Sequence, residues 1–315
     1  MSYTYDPTVH GTPLVTVYTC VYNGEKTLHR VFGSMKKLTY PNIEHVIVND
    51  GSTDNTEALI KEYIKEVSFP VKYHKKENGG KHTALNVVWD ISSGKFMLQL
   101  DADDELFPSS IECLLSEYFN IPEDKRDEYW TIDARCVTQD GKFVGEPYPE
   151  GINDLDWEEA KAVASNTPGE KISLREREKF VHCKFPEVVG AKFLPESMIW
   201  KQINLKYRSR YINDVVRVYY VNEGGSLTSK HKNRKHYNAF TYHYKWKVMH
   251  PEIYPKSFKD IVLYSLGYFV SEQIYRKHNR YLDEITDKKI RVILSLLYPF
   301  SFVGALVARA IKGIK

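Results

Sequence analysis

Phe96-Met97-Leu98-Gln99-Leu100-Asp101-Ala102-Asp103-Asp104 is the stretch on which the reading of this chain turns. A short, mostly apolar run that stops at a polar break reads as a strand buried in a sheet. The three carboxylates that follow repel one another unless something positive sits among them. Side chains alternate along a strand, so Asp101 and Asp103 can point at one ion while Asp104 turns away. Oxygen ligands of this kind suit a hard divalent cation, Mg²⁺ or Mn²⁺, which commonly shares its shell with substrate phosphates. An acidic turn capping the next helix is the competing reading.

Outward from this stretch, the first half of the chain alternates strand and helix signals. A β-branched run over 14–21 precedes the turn Tyr22-Asn23-Gly24 and a helix over 25–38. A second strand, 43–48, ends in Asn49-Asp50-Gly51-Ser52-Thr53-Asp54, where Ser52 or Thr53 can cap a helix running to 67. A short strand over 71–74 leads through Asn78-Gly79-Gly80 into a helix ending at 91, and another helix follows Pro108. Short strands alternating with helices predict a mostly parallel, doubly wound α/β sheet. Ligands in such a sheet sit beyond the carboxyl ends of its strands, where Tyr22, Asp50 and Asp101 all fall. The middle of the chain is less regular: a strand over 130–138, a turn at Asp140-Gly141, and an irregular region over 145–170. Phe193-Leu194-Pro195-Glu196 then opens an amphipathic helix to 205. A strand over 215–221, a basic loop over 230–235 and an aromatic-rich helix over 237–250 follow.

Bulk properties narrow the class. The chain has 315 residues and a net charge of +3, too balanced to argue for nucleic-acid binding. Its four scattered cysteines have neither zinc nor disulfide-framework spacing, which fits reduced thiols in the cytoplasm. The opening residues lack a basic region followed by an apolar core, so no secretory signal is expected.

Five motifs in order resemble the large family 2 of inverting glycosyltransferases, which have the GT-A fold, over about residues 12–245. They are Thr19-Cys20-Val21-Tyr22-Asn23-Gly24, Val48-Asn49-Asp50-Gly51-Ser52-Thr53-Asp54, Asn78-Gly79-Gly80-Lys81-His82-Thr83-Ala84-Leu85-Asn86, Asp101-Ala102-Asp103-Asp104 and Phe193-Leu194-Pro195-Glu196. The resemblance implies a nucleotide-sugar donor, by default a UDP-sugar, and a divalent metal at the acidic motif. It places Asp103 on the metal, Asp101 at the ribose or behind the metal, and Asp104 within the same donor site. It implies that Asp50 accepts a hydrogen bond from the base, that Cys20 and Tyr22 lie beside it, and that Lys81 meets the diphosphate. Family members often carry Glu-Asp where Pro195-Glu196 stands, and the base is the second acid, so Glu196 is the expected catalytic base. His231 in the basic loop is a further candidate for the metal or diphosphate. Bland readings compete at several of these positions: a capping turn for Asp50, an exposed lysine for Lys81, and a residue favourable to the helix dipole for Glu196. His82 is expected to be structural.

From 292 to 308 no residue is charged, while Lys288, Lys289 and Arg291 precede the run and Arg309, Lys312 and Lys315 follow it. The run is shorter than the ~20 residues a spanning helix needs, and it contains Pro299. Basic flanks favour docking of 288–315 on an anionic leaflet; a helix packed on the protein's own core is the alternative. The expected organisation is a catalytic domain over 1–250 and a helical extension over 251–315. Within the former, a nucleotide-sugar half spans about 12–120 and an acceptor half 121–250. The expected activity is metal-dependent inverting transfer of one sugar to a glycan acceptor, lipid-linked, in surface polysaccharide synthesis on the cytoplasmic face of the membrane. A degenerate nucleotide-sugar-binding scaffold subunit is the alternative. A processive synthase would need a Gln-x-x-Arg-Trp motif, and a sugar nucleotidyltransferase a Gly-rich, Arg-containing first loop; neither is present.

Overall fold

The computed structural model describes residues 5–188, 190–221, 237–250, 253, 258–275, 288, 291–292, 295–301 and 304–305. His231 and the basic loop around it lie outside these residues. The chain divides into two compact units. One comprises 1–78, 84–184 and 206–222, and the other 79–83, 185–205 and 223–315.

The first unit contains the whole sheet. After a short helix α1 (Pro7–His10), the strands are β1 (Val15–Val21), β2 (Ile43–Asn49), β3 (Val71–Lys75), β4 (Phe96–Gln99), β5 (Glu105–Leu106), β6 (Tyr129–Thr138), β7 (Lys171–Glu176) and β8 (Arg208–Tyr219). Their spatial order is β3-β2-β1-β4-β7-β6-β8-β5. The first four are parallel, β7 runs antiparallel between β4 and β6, and β8 is parallel to β6. A mostly parallel α/β sheet flanked by helices is therefore what the chain forms. β2 is buried at every residue, and β1 at all but Cys20, as parallel strands covered on both faces require. Helices α2 (Leu28–Met35), α3 (Thr56–Glu66) and α5 (Ser110–Asn120) press Leu28, Val31, Ile60, Ile111, Leu114 and Leu115 into a core shared with the strands.

Two longer elements escaped the sequence reading, besides the short α1 and β5. β7, Lys-Ile-Ser-Leu-Arg-Glu, offers only Ile172 and Leu174 as apolar residues, both buried, and its charged alternation resembles a loop. The irregular region over 145–170 contains a helix, α6 (Trp157–Ser165), whose N-cap Asp156 accepts from the amide of Glu159. Ser52 and Thr53 do not cap α3. Asn55 holds that position, and Ser52 and Thr53 bond to the first loop instead.

At the amino ends of β1 and β2, Glu44 is buried but fully engaged. It accepts from Thr16 Oγ1 at 2.5 Å, from the Ser93 amide at 2.6 Å and from the Gly94 amide at 3.2 Å, and pairs with Lys72 at 2.8 Å. Burial alone would raise its pKa, but Lys72 and Thr16 hold the carboxyl below its ordinary value. That end of the sheet is a structural clasp.

Among the described residues, the regular elements of the second unit are helices. The helix α4 (Lys81–Ile91) begins in it, followed by α7 (Ser197–Ile203), α8 (Tyr237–Met249) and α9 (Phe258–Tyr275). Val248 of α8 and Tyr268 and Phe269 of α9 form a buried cluster, with Leu297 and Tyr298 packed on it. Gly267 is required at this crossing, since a Cβ there would lie 2.7 Å from the Tyr244 ring. Among the described residues, no helix is long and apolar enough to cross a membrane.

Candidate functional site

In the first unit, the candidate residues gather beyond the carboxyl ends of β1, β2 and β4. Asp50 follows β2 directly, and its amide donates to the Val21 carbonyl at 2.8 Å, tying the ends of the first two strands together. Its buried carboxylate pairs with Lys76 Nζ at 2.8 Å, and Asn78 Nδ2 donates to its carbonyl at 2.9 Å. Gly51 has φ +75°, and a Cβ there would lie 2.6 Å from the Asn78 amide nitrogen, so only glycine fits this turn.

The first two loops are joined side chain to backbone. The Asn23 amide donates to Ser52 Oγ at 2.9 Å, the Thr53 amide to Asn23 Oδ1 at 2.9 Å, and the Gly24 amide to Thr56 Oγ1 at 2.8 Å. Asn23 itself takes a left-handed conformation at φ 53°, which asparagine tolerates better than most residues. Tyr22 is 52% exposed on this platform, and Cys20 is half-buried near the end of β1.

The acidic motif ends β4 and is organised by a residue the sequence reading did not single out. Arg217 of β8 is only 3% exposed. Its Nη1 lies 3.4 Å from Asp104 Oδ2 and 3.7 Å from Asp101 Oδ2. Its Nε donates to Cys136 Sγ at 3.2 Å and its Nη2 to the Lys171 carbonyl at 3.3 Å, which fixes the plane of the guanidinium. Asp104 is fully buried, and its Oδ1 accepts from the Tyr220 amide at 3.0 Å. Burial pushes the Asp104 carboxyl up to about 7, against the opposing pull of Arg217 and the Tyr220 amide. Arg30 completes the rim: Nη1 donates to the Asp103 carbonyl at 3.3 Å, and the guanidinium stacks 3.9 Å from the Tyr220 ring centroid. The positive charge demanded by the carboxylates is thus supplied in part by the protein. A clue did exist, because Arg217 interrupts the apolar run Val215-Val216-Arg217-Val218.

A divalent cation fits this donor set in a restricted way. Among the described residues, no three His, Cys, Asp or Glu side chains converge as a metal cage. Asp104 Oδ2 is buried and accepts no hydrogen bond among them, although it faces Arg217. Mg²⁺-type ions are commonly held by one or two carboxylates, with phosphate and water oxygens completing the shell. Half-buried Asp101 and Asp103 offer that number of carboxylates.

In the second unit, the expected diphosphate lysine and the expected base are partners. Lys81 Nζ lies 3.0 Å from Glu196 Oε1. Lys81 starts α4, and Glu196 is the N-cap of α7 without a capping hydrogen bond from its side chain. Gly80, at φ +96°, permits the approach: a Cβ there would overlap the Lys192 carbonyl oxygen, 2.0 Å away. His82 is buried, its ring edge-on to Phe185 at 6.3 Å, as befits a structural residue.

Comparison with known proteins identifies residues 16–124 as matching the family described as glycosyl transferase family 2. The chondroitin synthase of Pasteurella multocida is 34% identical over 144 residues, which span 45% of this chain and 14% of the synthase. The chain thus covers only a small part of that relative. Among solved structures, a mannosyltransferase from Pyrobaculum calidifontis, in complex with GDP-Man and Mn²⁺, superposes with a TM-score of 0.56 at 18% identity. The match covers 99% of this chain and 89% of that one. A fragment of Staphylococcus aureus TarS in complex with UDP-GlcNAc gives 0.55 at 15% identity, covering 92% and 88%. At these identities the likeness establishes the GT-A fold.

Proposed function

We propose, from the match of residues 16–124 to glycosyl transferase family 2, that the chain transfers one sugar from a nucleotide-sugar donor to a glycan acceptor with inversion at the anomeric carbon. The observation that carries this reading is the acidic end of β4, held by Arg217 beyond the same strand ends as Asp50. Two neighbours of this fold carry nucleotide sugars with different bases, which supports the donor class. A UDP-sugar remains the default donor.

In this reading Asp50, set by Lys76 and the Gly51 turn, accepts a hydrogen bond from the base. Tyr22 and Cys20 wall the base on the first loop. Asp103 would hold Mn²⁺ or Mg²⁺, with Asp101 at the ribose or behind the ion and Asp104 fixed by Arg217. When bound, such an ion would offset the charge that develops on the departing nucleoside diphosphate. On the acceptor side, Glu196 takes the proton from the attacking hydroxyl as the bond to the anomeric carbon forms and the bond to the diphosphate breaks. Lys81 pairs with it at 3.0 Å and is assigned to the diphosphate, where an ammonium acts as a point charge. The acceptor is a lipid-linked glycan at the cytoplasmic face of the membrane.

The test is a panel of nucleotide sugars, with and without Mn²⁺, read by thermal shift and by release of nucleoside diphosphate. One donor should raise the melting temperature and be turned over only with metal. Binding without turnover across glycan acceptors would instead indicate a nucleotide-sugar-binding scaffold subunit.

A further inference from the structure

The uncharged run near the end of the sequence has two faces. The described residues 291–292, 295–301 and 304–305 are helical. Leu297 and Tyr298 pack on the α8–α9 cluster; the Tyr298 ring meets Phe269 at 5.2 Å and its hydroxyl accepts from Gln273 Nε2 at 3.3 Å. Ser301 and Ala305 are buried on the same side. A Cβ on Gly304 would lie 2.8 Å from Val270 Cγ2, so this face lies tight against α9.

Among the described residues, the opposite face presents exposed apolar side chains. Val292, Leu296 and Phe300 are 58%, 68% and 67% exposed, and their spacing of four residues aligns them as one stripe. Exposed Lys288 and Arg291 stand at the start of the stripe and, with Val292, Ser295 and Leu296, line a shallow depression. Charge along the sequence is just as polarised. Residues 288–315 hold six of the 44 Lys and Arg and none of the 41 Asp and Glu, so the rest of the chain is net negative by three. A second copy of the chain would bring a second +6 segment against the first, whereas an anionic bilayer complements it.

We infer that the Val292-Leu296-Phe300 stripe, flanked by Lys288 and Arg291, docks the protein on an anionic lipid surface, with the helix lying in the plane of the headgroups. Three aligned apolar side chains enter the acyl boundary while the basic groups stay at the phosphate level. The opposite face remains on the protein, so docking needs no unpacking of Phe269 from Tyr298. The inference rests on the lipid-linked acceptor only for its purpose; the surface stands without it.

Flotation of the full chain with vesicles of phosphatidylglycerol and phosphatidylcholine, and of phosphatidylcholine alone, tests it. Binding to the anionic vesicles alone is expected. Val292→Ser, Leu296→Ser and Phe300→Ser combined should lower the bound fraction at least tenfold, and so should Lys288→Gln with Arg291→Gln. Metal-dependent donor hydrolysis in solution should be unchanged in both variants, which separates this inference from the catalytic reading. Absence of wild-type binding to anionic vesicles, or undiminished binding of the triple variant, overturns it. So does a change in the oligomeric state of the triple variant without lipid, which would mark the stripe as a protein interface.

Discussion

Arg217 and Asp104 form a buried ion pair at the carboxyl end of the sheet, Nη1 to Oδ2 3.4 Å, and Asp101 shares the same nitrogen at 3.7 Å. Removing one member of such a pair leaves an uncompensated buried charge, whereas the intact pair adds little net stability. Arg217→Met should therefore destabilise the protein by about 3–5 kcal/mol in chemical denaturation. Arg217→Lys should recover part of that loss but not the paired contacts of the fork. Wild-type stability in Arg217→Met would show that the pair does not organise the motif.

Asp103 and Asp50 are assigned to different ends of the donor, and their variants should differ in kind. Calorimetric titration of nucleoside diphosphate should show Asp103→Asn losing the affinity gained from Mn²⁺. Asp50→Ala should lose affinity with and without metal, by about tenfold, or ~1.4 kcal/mol. Equal metal enhancement in wild type and Asp103→Asn would remove Asp103 from the metal site.

Glu196→Gln keeps the shape at the start of α7 and removes the proton acceptor. Transfer should fall by about 10²–10⁴-fold, the usual contribution of a general base, while donor affinity stays within about twofold. Lys81→Met should weaken donor affinity as well as rate. Unchanged turnover in Glu196→Gln would send the search for a base elsewhere.

His45 supplies a pH test remote from the chemistry. It is buried in β2 between Thr19 Oγ1 at 3.2 Å and Tyr63 Oη at 3.0 Å, and burial pulls its pKa down to about 3. A lowered pKa means the folded state holds the neutral ring, so this contribution is complete above the ordinary pKa of about 6.5 and drains as pH falls toward 3. The unfolding free energy should lose up to about 1.4 kcal/mol per pH unit across that window from this group. Subtracting the pH profile of His45→Gln from that of wild type should isolate the slope, and identical profiles would rule it out.

The sequence carried most of the sheet and at least one member of each charged pairing at the candidate site. β1, β2 and β4 announce themselves because buried parallel strands are continuous apolar runs, and Asp50-Gly51 and Asp101–Asp104 because their chemistry is local. Their counter-charges could not be matched to them for the opposite reason, because those partners are distant in sequence. Lys76 is 26 residues from Asp50, and Arg217, the counter-charge of Asp104, stands on the last strand; only strand order brings them together. β7 was missed because its neighbours β4 and β6 supply most of the burial, so two apolar residues suffice. Lys81 and Glu196 were each singled out, but nothing in two separate motifs revealed that they touch.

The placement of β8 between β6 and β5 also governs how the acidic end of the sheet is completed. Arg217 lies far along the chain from Asp101 and Asp104, and it reaches them because β8 inserts between β6 and β5. This corner is therefore closed by a long-range contact, of the kind that raises the contact order of a fold. A fragment cut at residue 124, the limit of the family match, would retain the acidic motif and lose its cation. The stretch that matches the family and the stretch that pairs its acidic motif with a cation are different lengths of chain.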